Sequence, residues 1–407
     1  MTSDIAITGL GLVTPAGIGV DASWQGILRG ESAAAKDPNL AGIPIDISCR
    51  VADFDADALI GRKAARRLDR FVQLGLVAAR EAIEDSGLDT VSWDAARVGA
   101  VIGCGMGGAG TWEAQHRIML ERGPERVSPL LIPMLIPNMV AGHIAIEFNA
   151  KGPNLVTATA CTSGATAIGV ARDLLRTGAC DVVIAGGSEA GLTPLSIAAF
   201  GQMHALSGRV DDPAAASRPF DADRDGFVAA EAAGILILER LADADARGAR
   251  TRARLIGYGA SADAHHITAP DPEGIGVGLA VKTALDDAGI APSEVSHINA
   301  HGTSTPLNDA AESRVIRRIF GDDAPPVTST KGVTGHSLGA AGAIEAAFSA
   351  LTLQNGLLPP TANLDKLDPQ IDLDVVHDEP RRADAQVVMS NSFGFGGQNG
   401  VLVLARA

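Results

Sequence analysis

The chain has 407 residues, of which 46% are hydrophobic and 20% charged, and its formal net charge is −15. The hydrophobic content is typical of a large folded core and excludes a disordered chain. The negative charge argues against a general binder of nucleic acid or anionic membrane. No apolar run reaches the ~18 residues of a membrane span, and the first residues lack the basic region of a secretory signal. Four cysteines without a Cys-x-x-Cys pair favour free thiols in a reducing cytosol, so we expect a cytoplasmic protein.

Short apolar runs, which we interpret as buried strands, alternate along the chain with Ala- and Leu-rich helical patterns. Such alternation predicts α/β layers. The predicted strands cover residues 5–8, 98–102, 182–185, 235–238 and 401–404, and the helical patterns cover 69–86, 164–176, 275–288 and 340–354.

Two passages of the first part of the chain recur, in the same order, in the second part. Ala82–Leu88 is echoed by Ala284–Ile290, and in both a helix stops at a glycine suited to a left-handed C-cap. Val156–Cys161 is echoed by Val327–Lys331, and each is followed by a helix. We predict a duplication with its seam at 245–252. The halves would be residues 1–250 and 251–407, and without a low-complexity linker they would share one interface.

Cys161 is the first candidate for chemistry. It lies between a predicted strand and a predicted helix, which places its sulfur at a helix N-terminus. Exposed N–H groups and the helix dipole there favour a thiolate, and the same N–H groups can serve as an oxyanion hole. Cys49, Cys104 and Cys180 lack this context, and we expect them to be buried structural residues.

Two histidines lie in Gly- and Thr-rich turns at predicted strand ends. His301 follows one strand, and His336 lies in the turn between another strand and a helix. Sites in α/β proteins form at the carboxyl ends of strands. As neutral imidazoles, both can donate Nε2–H to a developing oxyanion or enolate.

Several motifs suggest other functions. The Gly103–Gly108 match to G-x-G-x-x-G lacks the acidic residue of a dinucleotide site, and Asp221–Gly226 opens like a calcium loop but lacks its last ligand. His265 and His266 have no partner ligands at a recognisable spacing. The strongest alternative is a serine hydrolase. Ser337 fits the nucleophile motif G-x-S-x-G, and it is followed by acids and a histidine in the hydrolase order, at Asp372, Asp374 and His377.

Four ordered segments together resemble the β-ketoacyl-acyl-carrier-protein synthases, most closely the elongating type II form, over Ile5 to Leu404. The segments are Ala158–Gly164, Asn299–Thr305, Lys331–His336 and Asn391–Gly397. The resemblance implies the thiolase fold, in which two similar α/β halves form a five-layer α-β-α-β-α sandwich. It also implies condensation of malonyl-acyl-carrier protein with a Cys-bound acyl chain, in fatty-acid or type II polyketide elongation.

The resemblance assigns a role to each matching position. Cys161 would carry the acyl chain, and His301 and His336 would stabilise the enolate. Lys331 and Glu345 would organise charge around the histidines. The N–H groups of Cys161 and Phe395 would form the oxyanion hole, with Phe395 also acting as a gate. The pantetheine arm would bind Thr303 and Thr305, and the acyl pocket would be lined by Met106, Phe200 and Phe393. No metal or redox cofactor is implied.

The implied partners are an acyl carrier protein and a second subunit, with no nucleic acid or membrane. Because the carrier proteins of this family are acidic, an enzyme of charge −15 must recruit them locally. We expect docking on Lys63, Arg66, Arg67 and Arg70, which would share one face of a continuous helix. The alternative is a solvated helix face. The second subunit would be an identical copy or a chain-length factor, and residues 129–139 resemble a segment near the dimer axis of the family.

Departures from the family pattern concern the pathway more than the reaction. The chain reads Ala230–Gly234 as Ala-Glu-Ala-Ala-Gly, where the family commonly has more glycine, and Gln398 replaces a usual threonine. A thiolase that uses coenzyme A is disfavoured, because it would need a second catalytic cysteine in the C-terminal half and no cysteine lies beyond Cys180.

Overall fold

The structure of the protein, a computed structural model, describes residues 4–407. Its strands are β1 (Ile5–Thr14), β2 (Gly17–Ile18), β3 (Ala35–Lys36), β4 (Ile47–Ser48), β5 (Val98–Gly103), β6 (Asn154–Thr157), β7 (Val182–Glu189), β8 (Ala232–Arg240), β9 (Ala253–Ala262), β10 (His297–Asn299), β11 (Val327–Thr328), β12 (Leu357–Leu358), β13 (Arg381–Arg382), β14 (Val387–Gly394) and β15 (Gln398–Ala405). Its α-helices are α1 (Val20–Leu28), α2 (Arg62–Ala65), α3 (Arg70–Ser86), α4 (Ala109–Arg122), α5 (Leu131–Leu135), α6 (Met139–Phe148), α7 (Ser163–Arg176), α8 (Pro194–Gln202), α9 (Leu241–Ala246), α10 (Ile275–Ala288), α11 (Pro306–Phe320), α12 (Lys331–Thr334) and α13 (Ala341–Asn355). All the strands and helices predicted from the alternating pattern are present. The helices start within one residue of the prediction and the strands within three.

Ten strands form two five-stranded sheets of the same topology. The first has the order β1-β8-β7-β5-β6 and the second the order β9-β15-β14-β10-β11. In each, the first two neighbouring pairs are antiparallel and the last two are parallel. The sheets join at one edge, where Ile5–Ile7 of β1 pairs antiparallel with residues 253–255 of β9. The repeated topology confirms the predicted duplication and the mixed α/β class.

The helices form three layers around the two sheets. Helices α7 and α13 pack against each other between the sheets, while α3 covers the outer face of the first sheet and α10 that of the second. Helix α13 is buried all round, as a central layer requires. A methyl group at Gly164 of α7 would lie 2.8 Å from the backbone nitrogen of Ala343, so the close approach of the two central helices depends on this glycine. The layers follow the order α-β-α-β-α.

The ends of corresponding helices also repeat. Helices α3 and α10 both end at a left-handed glycine, Gly87 with φ 65° and Gly289 with φ 70°, as predicted for the C-caps. Helices α7 and α13 both begin after a short 3₁₀ turn, at Ala160–Thr162 and Leu338–Ala340. The expected seam at 245–252 spans the end of α9 and the connection to β9.

The free edge of the first sheet is apolar and open. Among the described residues, strand β6 pairs on one side only, and its Leu155 is 43% exposed. Nearby exposed apolar side chains lie on α4, α5 and α6 and include Trp112, Leu120, Ile132 and Ile146. Among the residues that the structure describes, no helix is long and apolar enough to cross a membrane.

Candidate active site

Cys161 lies in the 3₁₀ turn that leads into α7, and its side chain is buried. The preceding residue, Ala160, has φ 50°, a left-handed conformation that costs free energy for a residue with a side chain. This turn directs the sulfur toward the N–H groups of Phe395 and of Cys161 itself. Burial raises the pKa of the thiol to about 11, although the charge of Lys331 and the two N–H groups lower it. The position at a helix N-terminus is as predicted, but burial outweighs the expected preference for a thiolate.

His301 and His336 are brought together by the fold. Their ring centroids are 5.4 Å apart and the rings are nearly perpendicular. Phe393 lies beside His301, with a centroid distance of 5.6 Å, and Phe227 lies beside His336 at 5.2 Å. Burial first, and then the charge of Lys331, lower the pKa of both imidazoles well below the usual value, so both are neutral near pH 7.

A buried ion pair lies behind the histidines. The ammonium of Lys331 binds the carboxylate of Glu345 and donates to the carbonyl of His301 at 2.7 Å. It also lies 3.5 Å from Nδ1 of His301. Burial raises the pKa of Glu345 to about 7, and Lys331 lowers it. Because an ammonium has only donors, Nδ1 of His301 is the acceptor, and the ring carries its proton on Nε2.

Glu312 is a site residue that the sequence interpretation missed. Its carboxylate is buried in α11 and accepts from the N–H groups of His301 and Gly302, each at 2.9 Å. It also accepts from the side-chain amide of Asn391 at 3.0 Å, which links this loop to β14. Burial raises the pKa of Glu312, and these three donors lower it. The available signal was an acid among the alanine, valine and isoleucine residues of the buried face of α11.

The residues expected to line the acyl pocket divide between two clusters. Met106 and Phe200 pack with the apolar cluster that contains Cys161 and Leu338. Phe200 also lies near Phe395, with 6.5 Å between ring centroids. Phe393, in contrast, packs in the core of the second half, beside His301. The structure therefore brings Met106, Phe200 and Phe395 together around the thiol, with Phe393 on the histidine side.

Thr303 and Thr305 lie on the loop between His301 and α11. Their hydroxyl oxygens are 2.9 Å apart, and Thr305 also caps the helix by accepting from the N–H of Asn308. The intervening Ser304 has φ 69° and is buried. Thr303 is buried and Thr305 is partly exposed, so the loop runs from the buried histidine toward the surface.

The predicted continuous basic helix is wrong. Helix α2 ends at Ala65, and a new helix, α3, begins at Arg70 because Asp69 caps it by accepting from the N–H of Phe71. Lys63, Arg66 and Arg67 remain exposed. Arg70 is not free, because its guanidinium makes two 2.7 Å bonds to Glu231 and lies over the Phe54 ring.

The serine hydrolase alternative does not assemble. Ser337 is buried, and the strained residue of its turn is the next one, Leu338, with φ 48°. Asp374 binds Arg381 instead of a histidine, and the exposed His377 pairs with Asp378. The Ser337 hydroxyl finds no hydrogen-bond partner among residues 4–407.

The calcium-like and histidine-rich motifs have structural roles. Asp221 binds Arg218 and the N–H groups of residues 223, 365 and 366. His266 accepts from the N–H groups of Thr268 and Ala269 in its own loop. Across residues 4–407, no three acids, histidines or cysteines are grouped as metal ligands would be.

Comparison with known proteins agrees with this geometry. The N-terminal domain model of the beta-ketoacyl synthases matches residues 2–244, and the C-terminal domain model matches residues 252–365. The chain is 45% identical over 406 residues to a 3-oxoacyl-[acyl-carrier-protein] synthase 2 of Staphylococcus aureus, covering 99% of this chain and 98% of that protein.

Two solved structures are similar over their whole length. One is the ishigamide ketosynthase/chain length factor, with a TM-score of 0.93 and 34% identity. The other is a type II PKS ketosynthase bound to the hexaketide, in complex with its acyl-carrier protein, with a TM-score of 0.92 and 32% identity. Both cover 100% of this chain and of their own. With its duplicated five-layer thiolase fold, this chain belongs to the beta-ketoacyl synthase family.

Proposed function

We propose that this chain is a condensing enzyme that extends an acyl chain by two carbons taken from malonyl-acyl-carrier protein. The observation that carries the proposal is one buried thiol, facing two N–H groups, whose apolar cluster contains Phe227 and through it adjoins a pair of buried neutral imidazoles. Thiols are both good nucleophiles and good leaving groups, which suits transfer of an acyl chain to and from the enzyme. The chemistry divides into loading and condensation.

In loading, the sulfur of Cys161 attacks the thioester carbonyl of an acyl-carrier protein. The N–H groups of Cys161 and Phe395 stabilise the oxyanion. The new carbon–sulfur bond forms as the bond to the pantetheine sulfur breaks. Because burial raises the pKa of Cys161, its proton is transferred during this step and ends on the released pantetheine thiol.

In condensation, a malonyl thioester binds with its carbonyl oxygen toward the two imidazoles. The carboxylate leaves as carbon dioxide, and the electron pair forms an enolate. His301 and His336 stabilise it by donating Nε2–H to its oxygen, which requires that both stay neutral and protonated on Nε2. The carbanion then attacks the acyl-Cys161 carbonyl and forms the carbon–carbon bond. Cys161 leaves as a thiolate and takes a proton from solvent.

Lys331, Glu345 and Glu312 position the histidines. The ammonium of Lys331 fixes the tautomer of His301 and lowers the imidazole pKa, and Glu345 balances its charge. Glu312 holds the backbone of the His301 loop. These groups keep the proton donors in place without themselves touching the substrate.

The substrate arm and the acyl chain would approach from opposite sides. Thr303 and Thr305, on the loop that follows His301, are suited to hydrogen-bond the pantetheine arm. The acyl chain would lie in the cluster of Met106 and Phe200, with Phe395 as the gate and Phe393 bordering the histidine side.

The partners follow from charge and from the open sheet edge. Lys63, Arg66 and Arg67 form an exposed basic patch suited to an acidic carrier protein, whereas Arg70 supports this segment through Glu231. The apolar edge at β6 supports a dimer, either with an identical copy or with a chain-length factor. The second candidate, a catalytic subunit of a type II polyketide heterodimer, is favoured by the similarity to such complexes. The proposal also includes a cytoplasmic location and a boundary between the two halves of the chain at residues 250/251.

Acylation of Cys161 tests this function. Incubation with acyl-carrier protein should add the acyl mass to the wild-type chain, and adding malonyl-carrier protein should release it as the elongated 3-oxoacyl product. Cys161→Ala should show neither event, whereas Cys104→Ala, at a buried thiol outside the oxyanion site, should retain both. Acylation of Cys161→Ala or of Ser337 would contradict the proposal.

A further inference from the structure

Glu189 is a buried acid at the end of β7 that the reaction above does not use. Its carboxylate is 0% exposed and accepts hydrogen bonds from the N–H groups of Gly105 at 2.7 Å and Met106 at 3.1 Å. It also accepts from the N–H of Gly339 at 3.3 Å and lies 3.5 Å from the thiol of Cys104. Within the described residues no lysine or arginine pairs with it. Burial raises its pKa, and the N–H donors lower it.

Gly339 occupies the place in the second half that Cys161 occupies in the first. Each is the middle residue of a 3₁₀ turn leading into a central helix, after a left-handed residue with φ 50° at Ala160 or 48° at Leu338. In the first half the N–H of this turn faces the reactive sulfur. In the second half it is held by Glu189, and a methyl group at Gly339 would lie 2.6 Å from the carboxylate. In the second half, the position that corresponds to the oxyanion site around Cys161 is therefore occupied by the carboxylate of Glu189.

This carboxylate joins two segments that both contribute to the acyl cluster. One is the loop after β5, which carries Met106, and the other is the turn before α13, which carries Leu338. Both residues pack in the apolar cluster with Cys161. His336 has anchors of its own, because its N–H donates to Val228 at 2.8 Å and its carbonyl accepts from Ala230 at 3.0 Å. Loss of the carboxylate should therefore release Met106 much more than His336.

We propose that Glu189 is a positioning residue that fixes Met106 against the Gly339 turn and thereby sets which acyl chain lengths load onto Cys161. The proposal rests on the proposed function. A glutamine at this position has one acceptor oxygen and one donor group, so its amide would face at least one backbone N–H that needs an acceptor. The loop that carries Met106 would shift away to regain hydrogen bonds, and the depth of the pocket would change.

The experiment compares loading rates of Cys161 with short, medium and long saturated acyl-carrier proteins, followed by intact mass. Glu189→Gln should change the ratio of long-chain to short-chain loading rates by about tenfold, which corresponds to ~1.4 kcal/mol. Its rate of malonyl decarboxylation should stay within about twofold, because His336 is anchored separately. Met106→Ala should change the same ratio, and Glu189→Gln added to it should have little further effect.

Glu239→Gln is the matched control. Glu239 is also a buried carboxylate, bound by Thr8 and Arg247, but it pairs with Val182 at the opposite end of β7. This variant should lose stability without changing the chain-length ratio. If Glu189→Gln fails to fold, Glu189→Asp keeps the charge, withdraws it by one methylene and should shift the ratio as well.

Three results would overturn the inference. The first is a folded Glu189 variant with an unchanged ratio of long-chain to short-chain loading rates. The second is an equal loss of loading rate at every chain length together with lost malonyl decarboxylation, and the third is full additivity of the effects of Glu189→Gln and Met106→Ala on the ratio. A wild-type chain that does not load at all would instead contradict the proposed function, so the two failures are distinguishable.

Discussion

The raised pKa of Cys161 makes a quantitative prediction about its reactivity. Burial moves the thiol pKa from 9.0 to about 11, and at about 1.36 kcal/mol per unit this favours the neutral thiol by ~3 kcal/mol. The thiolate is the nucleophile toward small electrophiles, so only about one molecule in 10³ is reactive near pH 8, against about one in 10 for an unshifted thiol. Alkylation should therefore be about 100-fold slower than for a free cysteine.

The assay is alkylation by an uncharged haloacetamide, followed by intact mass and by peptide mapping of Cys161. Because the deprotonated form reacts, the rate should rise about tenfold per pH unit between about pH 6 and pH 10 without reaching a plateau. Lys331 lowers this pKa, so Lys331→Met should make alkylation slower still. Cys161→Ala controls for the three other buried thiols. A plateau below about pH 9, or faster alkylation in Lys331→Met, would refute the reasoning.

Three further predictions address the rest of the site. His301→Ala and His336→Ala should load an acyl chain but lose malonyl decarboxylation by about 10²–10⁴-fold, and retained decarboxylation in either would contradict their role. Glu312→Gln should destabilise the fold by about 1–3 kcal/mol in denaturant titration and lower condensation more than loading, and equal losses in both steps would refute its link to His301. Reversing Arg66 and Arg67 to Glu should raise KM for acyl-carrier protein and weaken the salt dependence of KM. Lys282→Glu, at the exposed lysine of α10, should leave both unchanged. An unchanged KM in the Arg66 and Arg67 variant would contradict docking of the carrier protein on these two residues.

Much of the fold could be predicted because its signals are local. The strands are continuous buried runs, the helices carry apolar faces, and glycines such as Gly87 and Gly289 mark where helices end. Recurrence of these signals was enough to predict the duplication. The basic segment was predicted wrongly because spacing alone placed Arg70 on the same helix face. The cap formed by Asp69 breaks that helix, and tertiary contact with Glu231 draws Arg70 inward.

Within the site, the sequence indicated the reacting groups, and the family resemblance added the supporting pair Lys331 and Glu345, but Glu189 and Glu312 were missed. Cys161, His301 and His336 stand in turns that follow strands, which is a signal visible in sequence. Glu189 and Glu312 do not stand in turns of this kind, and their roles depend on backbone N–H groups that only the folded chain brings against their carboxylates. The thiol pKa was also beyond sequence reasoning, since it depends on how deeply the folded chain buries the sulfur.

The central claim is that Cys161 carries the acyl chain while the histidine pair generates the carbanion. The most direct measurement is intact mass of the enzyme, first with acyl-carrier protein and then with malonyl-carrier protein. We predict an acyl adduct that maps to Cys161 and persists in His301→Ala, where malonyl-carrier protein fails to discharge it. An adduct on any other residue, or discharge by His301→Ala at the wild-type rate, would contradict the account.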